Sequence, residues 1–147
     1  MKIAVLNGPN LNLLGTREPN IYGRTALADI ERSVGVRAAE HGVAVTWSQT
    51  NHEGEFVEMI QGLAGKVDGA LINAAAFTHT SLAIRDTLLA VEIPFVEVHL
   101  SNIFAREEKR RQSLLADLAV GVVAGFGPQS YLLGLDALIA YLVDRGG

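Results

Sequence analysis

The sequence contains no cysteine, so it can form neither a disulfide bond nor a thiolate metal site, which is compatible with a reducing compartment. It also has only three lysines, Lys2, Lys66 and Lys109. A Schiff base needs a desolvated lysine. Lys2 begins the first predicted strand, Lys66 follows a predicted helix and Lys109 lies in a charged segment, so Schiff-base chemistry is not expected.

An excess of positive charge and long apolar runs are also lacking. The formal net charge is −4 and no basic run occurs, so neither a nucleic-acid nor a membrane partner is expected. No apolar run approaches the roughly 20 residues that span a bilayer. The apolar start Met1–Leu6 is too short for a signal peptide, and we expect a cytoplasmic protein. A length of 147 residues, 49% of them hydrophobic, predicts one domain over residues 1–147.

Apolar runs alternate with stretches of helical periodicity along the chain. The predicted strands are Lys2–Leu6, Val43–Ser48, Gly69–Asn73, Pro94–His99 and Gly121–Gly125. The first predicted helix is capped by Thr25 and ends at Gly42, and the second follows Asn51–Gly54 and is closed by Gly65. The third is capped by Thr80 or Ser81 and runs to about Val91. A charged helix is predicted from near Ala105, and the last helix begins at Gly127-Pro128. Residues 74–80 are predicted as a loop. This alternation predicts an α/β fold with a doubly wound parallel sheet, and five units fit the flavodoxin-like strand order 2-1-3-4-5.

The loop that joins the first strand to the first helix, Asn7–Gly23, is far longer than the roughly 2–6 residues usual for such connections. Long loops of this kind are often functional. Gly15 and Gly23 bracket a segment that holds Arg17 and Tyr22, so we predict a lid over about residues 15–23. A nearby guanidinium group favours the phenolate form of tyrosine, which makes Tyr22 beside Arg17 a candidate base.

Polar residues follow the strands at the edge where open α/β sheets bind ligands. They are Asn7 and Asn10 after strand one, Asn73 and His79 after strand three, and Glu97, His99, Ser101 and Asn102 at strand four. Glu97 and His99 share one face of their strand, where the carboxylate can orient the imidazole for acid–base work. The alternative is a purely structural buried pair. The amides of Leu100 and Ser101, with the start of the charged helix, predict an anion pocket.

Metal and nucleotide sites have no support in the sequence. The histidines His41, His52, His79 and His99 show no recognised metal spacing. The Asn7–Asn10 turn lacks the glycine pattern of dinucleotide or phosphate loops. Proton chemistry without a cofactor, on a small anionic molecule, is the remaining interpretation.

Motifs along almost the whole chain resemble those of the type II 3-dehydroquinate dehydratases. The matching segments are Asn7–Gly15, Arg17–Pro19, Tyr22-Gly23, Gln49, Asn51–Glu55, Thr78–Ser81, Arg85-Asp86, Glu97–Asn102, Arg106–Arg110 and the turn before Tyr131. The resemblance implies a flavodoxin-like fold and the anti elimination of water from 3-dehydroquinate through an enolate, without metal or organic cofactor. It implies a lyase of the shikimate pathway, serving aromatic amino acid biosynthesis or quinate breakdown.

The resemblance also implies a role for each matching residue. Tyr22 is the expected base, Arg17 and Asn10 stabilise the enolate, and His99, oriented by Glu97, is the expected general acid. The expected substrate-binding residues are Asn73, His79, Leu100, Ser101, Arg110 and, from a neighbouring subunit of a dodecamer built as a tetramer of trimers, Asp86. Two departures stand out: residues 74–77 read Ala-Ala-Ala-Phe where the family commonly has Pro-Gly and a tyrosine, and Ser130 replaces a usual glycine.

Two other classes of protein are possible alternatives. A flavin- or nucleotide-binding module of the same fold should show phosphate-binding loops and more aromatic residues than the 6% found here. An inactive scaffold should have lost Tyr22, Arg17 or His99, and all three are present.

Overall fold

The computed structural model describes residues 1–16 and 23–146, and its centre is a parallel sheet. The five strands are β1 Lys2–Asn7, β2 Ala44–Gln49, β3 Gly69–Asn73, β4 Phe95–His99 and β5 Gly121–Ala124. Their order is β2-β1-β3-β4-β5 and every pairing is parallel, which confirms the predicted flavodoxin-like arrangement. β1, β3 and β4 are therefore neighbours, and their carboxyl ends lie side by side.

Helices cover both faces of the sheet. They are α1 Leu27–Glu40, α2 Glu53–Gln61, α3 Phe77–Thr80, α4 Leu82–Val91 and α5 Gln129–Gly146, with 3-10 turns at Leu11–Leu13, Ile103–Ala105 and Glu108–Arg110. In the described part of the chain no helix is both long enough and apolar enough to cross a membrane.

Alternate residues of the three central strands, β1, β3 and β4, pack into two separate cores. On one face, Ile3 and Val5 of β1 and Val98 of β4 pack with the apolar stripes of α1 and α5. On the other face, Ile72 of β3 and Phe95 of β4 pack with α2 and α4. Because successive side chains of a strand point to opposite faces, this division also decides on which face each polar residue at the strand ends lies.

The prediction of a charged helix beginning near Ala105 is wrong. The chain forms two short 3-10 turns instead, and Arg106 between them is extended, with φ −93° and ψ −177°. Asn102 begins the first turn by accepting the Phe104 amide at 3.1 Å. The anion pocket predicted at the start of that helix therefore lacks the aligned amides of an α-helix.

Smaller corrections concern caps and one loop. Thr25 does not cap α1, because Ala26 takes that position and its amide donates to Asp29 Oδ2 at 2.9 Å. α2 ends at Gln61, before Gly65. The predicted loop 74–80 contains the short helix α3. Ser81 does cap α4, since its hydroxyl accepts the Ile84 amide at 3.0 Å.

Candidate active site

Glu97 and His99 form a buried pair at the carboxyl end of β4. His99 Nε2 lies 2.5 Å from Glu97 Oε2, Glu97 is fully buried and His99 is 4% exposed. The other Glu97 oxygen, Oε1, accepts the Ser113 hydroxyl at 2.8 Å. The second ring nitrogen of His99, Nδ1, has no hydrogen-bond partner within residues 1–16 and 23–146, so it is the nitrogen available to a ligand.

Three consecutive residues, Gln112, Ser113 and Leu114, connect this pair to the helix that carries His79. Gln112 O accepts a hydrogen bond from His79 Nδ1 at 2.7 Å. Leu114 N donates to Thr78 O at 2.9 Å. A carbonyl can only accept, so Nδ1 of His79 carries a hydrogen and, in the neutral ring, Nε2 is an acceptor. Glu97 and His79 are thus held by one short segment.

A second buried group lies on the opposite face of the sheet. The Tyr131 hydroxyl of α5 donates to Asn7 Oδ1 at 2.6 Å and accepts from Asn73 Nδ2 at 2.9 Å. Asn73 Oδ1 in turn accepts the Ala75 amide at 3.1 Å. Burial raises the pKa of Tyr131 above its ordinary value of 10.0, and the hydrogen bond from Asn73 opposes that shift only in part. Tyr131 therefore stays neutral and fixes both asparagines.

Asn10 lies in a turn that β2 holds in place. Asn10 has a positive φ of 69°, and its amide donates to Asn51 Oδ1 at 3.0 Å. Gln49 Nε2 donates both to Asn51 Oδ1 and to Gly8 O, each at 3.1 Å. The predicted site residue Asn10 is thus positioned through its backbone, and it lies beside the end of β1.

Leu100 and Ser101 extend β4 toward the same edge. Gly127 N donates to Leu100 O at 2.9 Å, and Gly125 N donates to His99 O at 3.3 Å, so the turn after β5 fixes this backbone. Ser101 is exposed, and its amide has no acceptor in the described ranges. An amide donor here is free to bind an anion or a hydroxyl.

Two predicted site residues are not joined to the others within residues 1–16 and 23–146. Asp86 is exposed on α4, and no hydrogen bond or ion pair links it to the predicted site residues that the structure describes. Arg110 is exposed and pairs with Glu107 at 2.8 Å. The candidate base Tyr22 and its neighbour Arg17 lie outside the described residues, as does most of the predicted lid.

No group of three or more potential metal-ligating side chains (His, Cys, Asp or Glu) occurs among residues 1–16 and 23–146. The geometry is that of a proton-transfer site: an imidazole with a buried carboxylate, amide donors and a second histidine, on three neighbouring strand ends.

A model of the family described as Dehydroquinase class II matches residues 1–139. The chain belongs to the class II dehydroquinase family. Proteins named 3-dehydroquinate dehydratase are similar over nearly its whole length: one from Prochlorococcus marinus is 56% identical over 145 residues, covering 99% of this chain and 98% of the relative. Another, from Azorhizobium caulinodans, is 57% identical over 136 residues and covers 92% of both chains. The solved structure of a type II dehydroquinase from Butyrivibrio crossotus superposes with a TM-score of 0.90 at 40% identity, covering 95% of this chain and 97% of that one.

As a dehydroquinase of this class the chain is a hydro-lyase, and its two departures from the family pattern differ in their structural setting. Ala75 stands within the segment where the family commonly has Pro-Gly, and its φ is +51°, a conformation that glycine adopts more readily. Ser130 is buried, and its hydroxyl accepts the Phe126 amide at 3.0 Å. Neither departure alters the Glu97–His99 pair.

Two residues that hydrogen-bond to predicted site residues, Tyr131 and Ser113, were not themselves predicted from the sequence. The sequence points to Tyr131 only through the matching turn before it, although a tyrosine within a leucine stripe is a signal for a buried hydroxyl that needs a partner. Ser113 carried no signal, because it lies in a segment that the sequence predicted as a helix.

Proposed function

We propose that this chain dehydrates 3-dehydroquinate to 3-dehydroshikimate by anti elimination through an enolate. The observation that carries the proposal is the buried Glu97–His99 pair at the carboxyl edge of the sheet, in a chain of the class II dehydroquinase family. Elimination next to a ketone needs one base, one acid and stabilisation of the intermediate negative charge. The reaction belongs to the shikimate pathway or to quinate breakdown.

His99 is the proposed general acid. Its Nε2 faces the Glu97 carboxylate, which orients the ring and stabilises the imidazolium, while Nδ1 is left for the substrate. When the C–O bond breaks, the proton of Nδ1 passes to the departing hydroxyl, which leaves as water. Burial of both side chains keeps competing water away from this transfer.

Tyr22 is the proposed base that removes the proton alpha to the ketone. Arg17 is proposed to favour its phenolate form and to stabilise the enolate, with Asn10 aiding the enolate through a water. These roles rest on the match to the family motif. They are supported by the turn at Asn10, because its hydrogen bond to Asn51 fixes the start of the loop that carries both residues.

The substrate is proposed to bind across the ends of β3 and β4. Asn73 offers the second hydrogen of Nδ2, His79 offers Nε2, and the Ser101 amide offers a donor to the carboxylate. Leu100 and Arg110 complete the contacts. Asp86 is exposed and has no hydrogen bond to these groups among the described residues of one chain, so it is proposed to enter from a neighbouring subunit of a dodecamer formed as a tetramer of trimers.

The proposal is tested by incubating the purified protein with 3-dehydroquinate and following the absorbance of the conjugated enone near neutral pH. Tyr22→Phe should lower kcat by at least ~10²-fold, the usual scale for loss of an acid or base. Tyr141→Phe is the matched control, since that hydroxyl lies on the surface of α5 beside Arg145. A Tyr22→Phe enzyme with the wild-type kcat would remove tyrosine from the role of base. A thermal shift with FMN and none with 3-dehydroquinate would favour a flavin-binding module instead.

A further inference from the structure

We propose that Ser113 is a positioning residue, which holds the Glu97 carboxylate so that His99 can deliver its proton to the departing hydroxyl. The inference rests on the proposed dehydration. Its starting observation is the 2.8 Å hydrogen bond between Ser113 Oγ and Glu97 Oε1, on the side of the carboxylate away from His99.

The hydrogen bonds around Ser113 fix the direction of its hydroxyl. Ser113 Oγ accepts the amide of Leu115 at 3.1 Å and the amide of Ala116 at 3.0 Å. A hydroxyl has two acceptor sites and one hydrogen. Because the two amides occupy the acceptor sites, the one hydrogen must be donated to Glu97, and Oε1 must be an acceptor.

The donation from Ser113 to Oε1 leaves Oε2 as the carboxylate oxygen that faces His99 Nε2. Because the 2.5 Å contact joins Oε2 to His99 Nε2, the proton shared by the pair lies between these two atoms. Ser113 therefore fixes the carboxylate in the orientation in which Oε2 supports His99 Nε2 and Nδ1 is left to deliver its proton.

Loss of the hydroxyl would leave Oε1 in the interior with no donor among the residues that the structure describes. Glu97 is fully buried, and an unsatisfied buried carboxylate is costly. The carboxylate would then turn, admit water or keep the proton itself. Each response weakens the acid at His99 without touching the groups that remove the alpha proton.

The elimination has two steps, and loss of the Ser113 hydroxyl should slow the second step but not the first. In the first, the base takes the proton alpha to the ketone, and the electron pair forms the enolate. In the second, the enolate re-forms the ketone, the carbon–carbon double bond forms, the β C–O bond breaks, and the oxygen takes the proton of His99 to leave as water. A weaker acid slows only the second step, so more of the enolate takes back a proton from the base.

The experiment runs the reaction in D2O and measures two rates on the same sample: deuterium entering the alpha position of remaining substrate, by NMR, and formation of the enone. For Ser113→Ala we expect kcat to fall about 10-fold, by analogy with the loss of hydrogen-bond partners of metal-bound histidines, which costs about 10–100-fold. KM should stay unchanged, and the ratio of exchange to product should rise. This ratio does not depend on the fraction of enzyme that is folded.

Two further variants distinguish a positioning role of Ser113 from a purely structural role. Ser113→Thr keeps the hydroxyl and should restore the wild-type ratio. Ser33→Ala, which removes an exposed hydroxyl bonded to Asp29 O at 3.1 Å on α1, should change neither rate. If Ser113→Ala lowers exchange and product formation by the same factor, or lowers neither, Ser113 is only a structural residue. If the wild-type protein forms no product at all, the proposed dehydration fails, which is a different result.

Discussion

The Tyr131 hydroxyl donates a 2.6 Å hydrogen bond to Asn7 Oδ1, joining the last helix to the first strand across 124 positions of sequence. Both residues are fully buried. Asn73 donates to the same hydroxyl, so one oxygen links α5, β1 and β3 directly beneath the predicted binding edge. A single buried tyrosine therefore couples the stability of the fold to the position of Asn73.

Replacing Tyr131 by phenylalanine should destabilise the protein by about 1–3 kcal/mol, because Asn7 Oδ1 and Asn73 Nδ2 each lose a buried partner. Urea unfolding measures the loss. Tyr141→Phe serves as control, since its hydroxyl contacts only the exposed side chain of Arg145 within the described structure. Equal stability of Tyr131→Phe and wild type would show that the asparagines find other partners.

Tyr131 should also make the protein sensitive to alkali. Burial raises its pKa in the folded state above the ordinary value of 10.0, so the unfolded chain ionises first as pH rises. The stabilisation is complete below about pH 10 and should decline above it by about 1.4 kcal/mol per pH unit. The free energy of unfolding, measured from pH 9 to 11 or so, should fall more steeply for wild type than for Tyr131→Phe. Parallel curves for the two proteins would contradict this.

Ala75→Gly should stabilise the protein by about 1 kcal/mol, since Ala75 has a φ of +51° that costs an L-residue energy and glycine little. Thermal or urea unfolding measures the change. Ala137→Gly, in the interior of α5, is the control and should cost about 1 kcal/mol instead. A loss of stability in Ala75→Gly would mean that the methyl group contributes packing that outweighs the strain.

Gly8→Ala should cost about 3 kcal/mol or more, or prevent folding. A Cβ atom at Gly8 would lie 2.3 Å from Ala74 O, a backbone atom that cannot rotate away. The clash lies where Gly8 N donates to Asn73 O at 2.8 Å, so β1 and β3 must separate to relieve it. Gly35→Ala, in the interior of α1 with open space around it, should be stabilising by about 0.5–1 kcal/mol. A tolerated Gly8→Ala would indicate that the two strand ends move apart easily.

Periodicity was enough to predict the parallel sheet, and the chemistry of the strand ends was enough to predict the Glu97–His99 pair. The strand order was inferred from chain length and fold class, since no pattern in the sequence fixes it. The pair could be predicted because two residues two apart on one strand must share a face. The faces themselves could not be predicted: Asn7 and Asn73 point to α5, whereas Glu97 and His99 belong to the face covered by α2 and α4. That division depends on which helix packs on which side.

The segment after β4 was predicted wrongly because its tertiary contacts override its helical composition. Glutamates followed by lysine and arginine suit a helix, yet Leu114 N is bonded to Thr78 O and Ser113 to Glu97. An α-helix would withdraw the Leu114 amide from its contact with Thr78. Such contacts between residues far apart in sequence leave no local pattern, so Ser113 could be found only from the folded chain.

The most direct test compares wild type and His99→Ala in turnover of 3-dehydroquinate, followed by enone absorbance at equal concentrations of folded protein. A dehydratase that uses His99 as its acid should form 3-dehydroshikimate, and the variant should be slower in kcat by at least ~10²-fold. Absence of product with micromolar wild-type enzyme, or an equal kcat for His99→Ala, would contradict the function proposed for the Glu97–His99 pair.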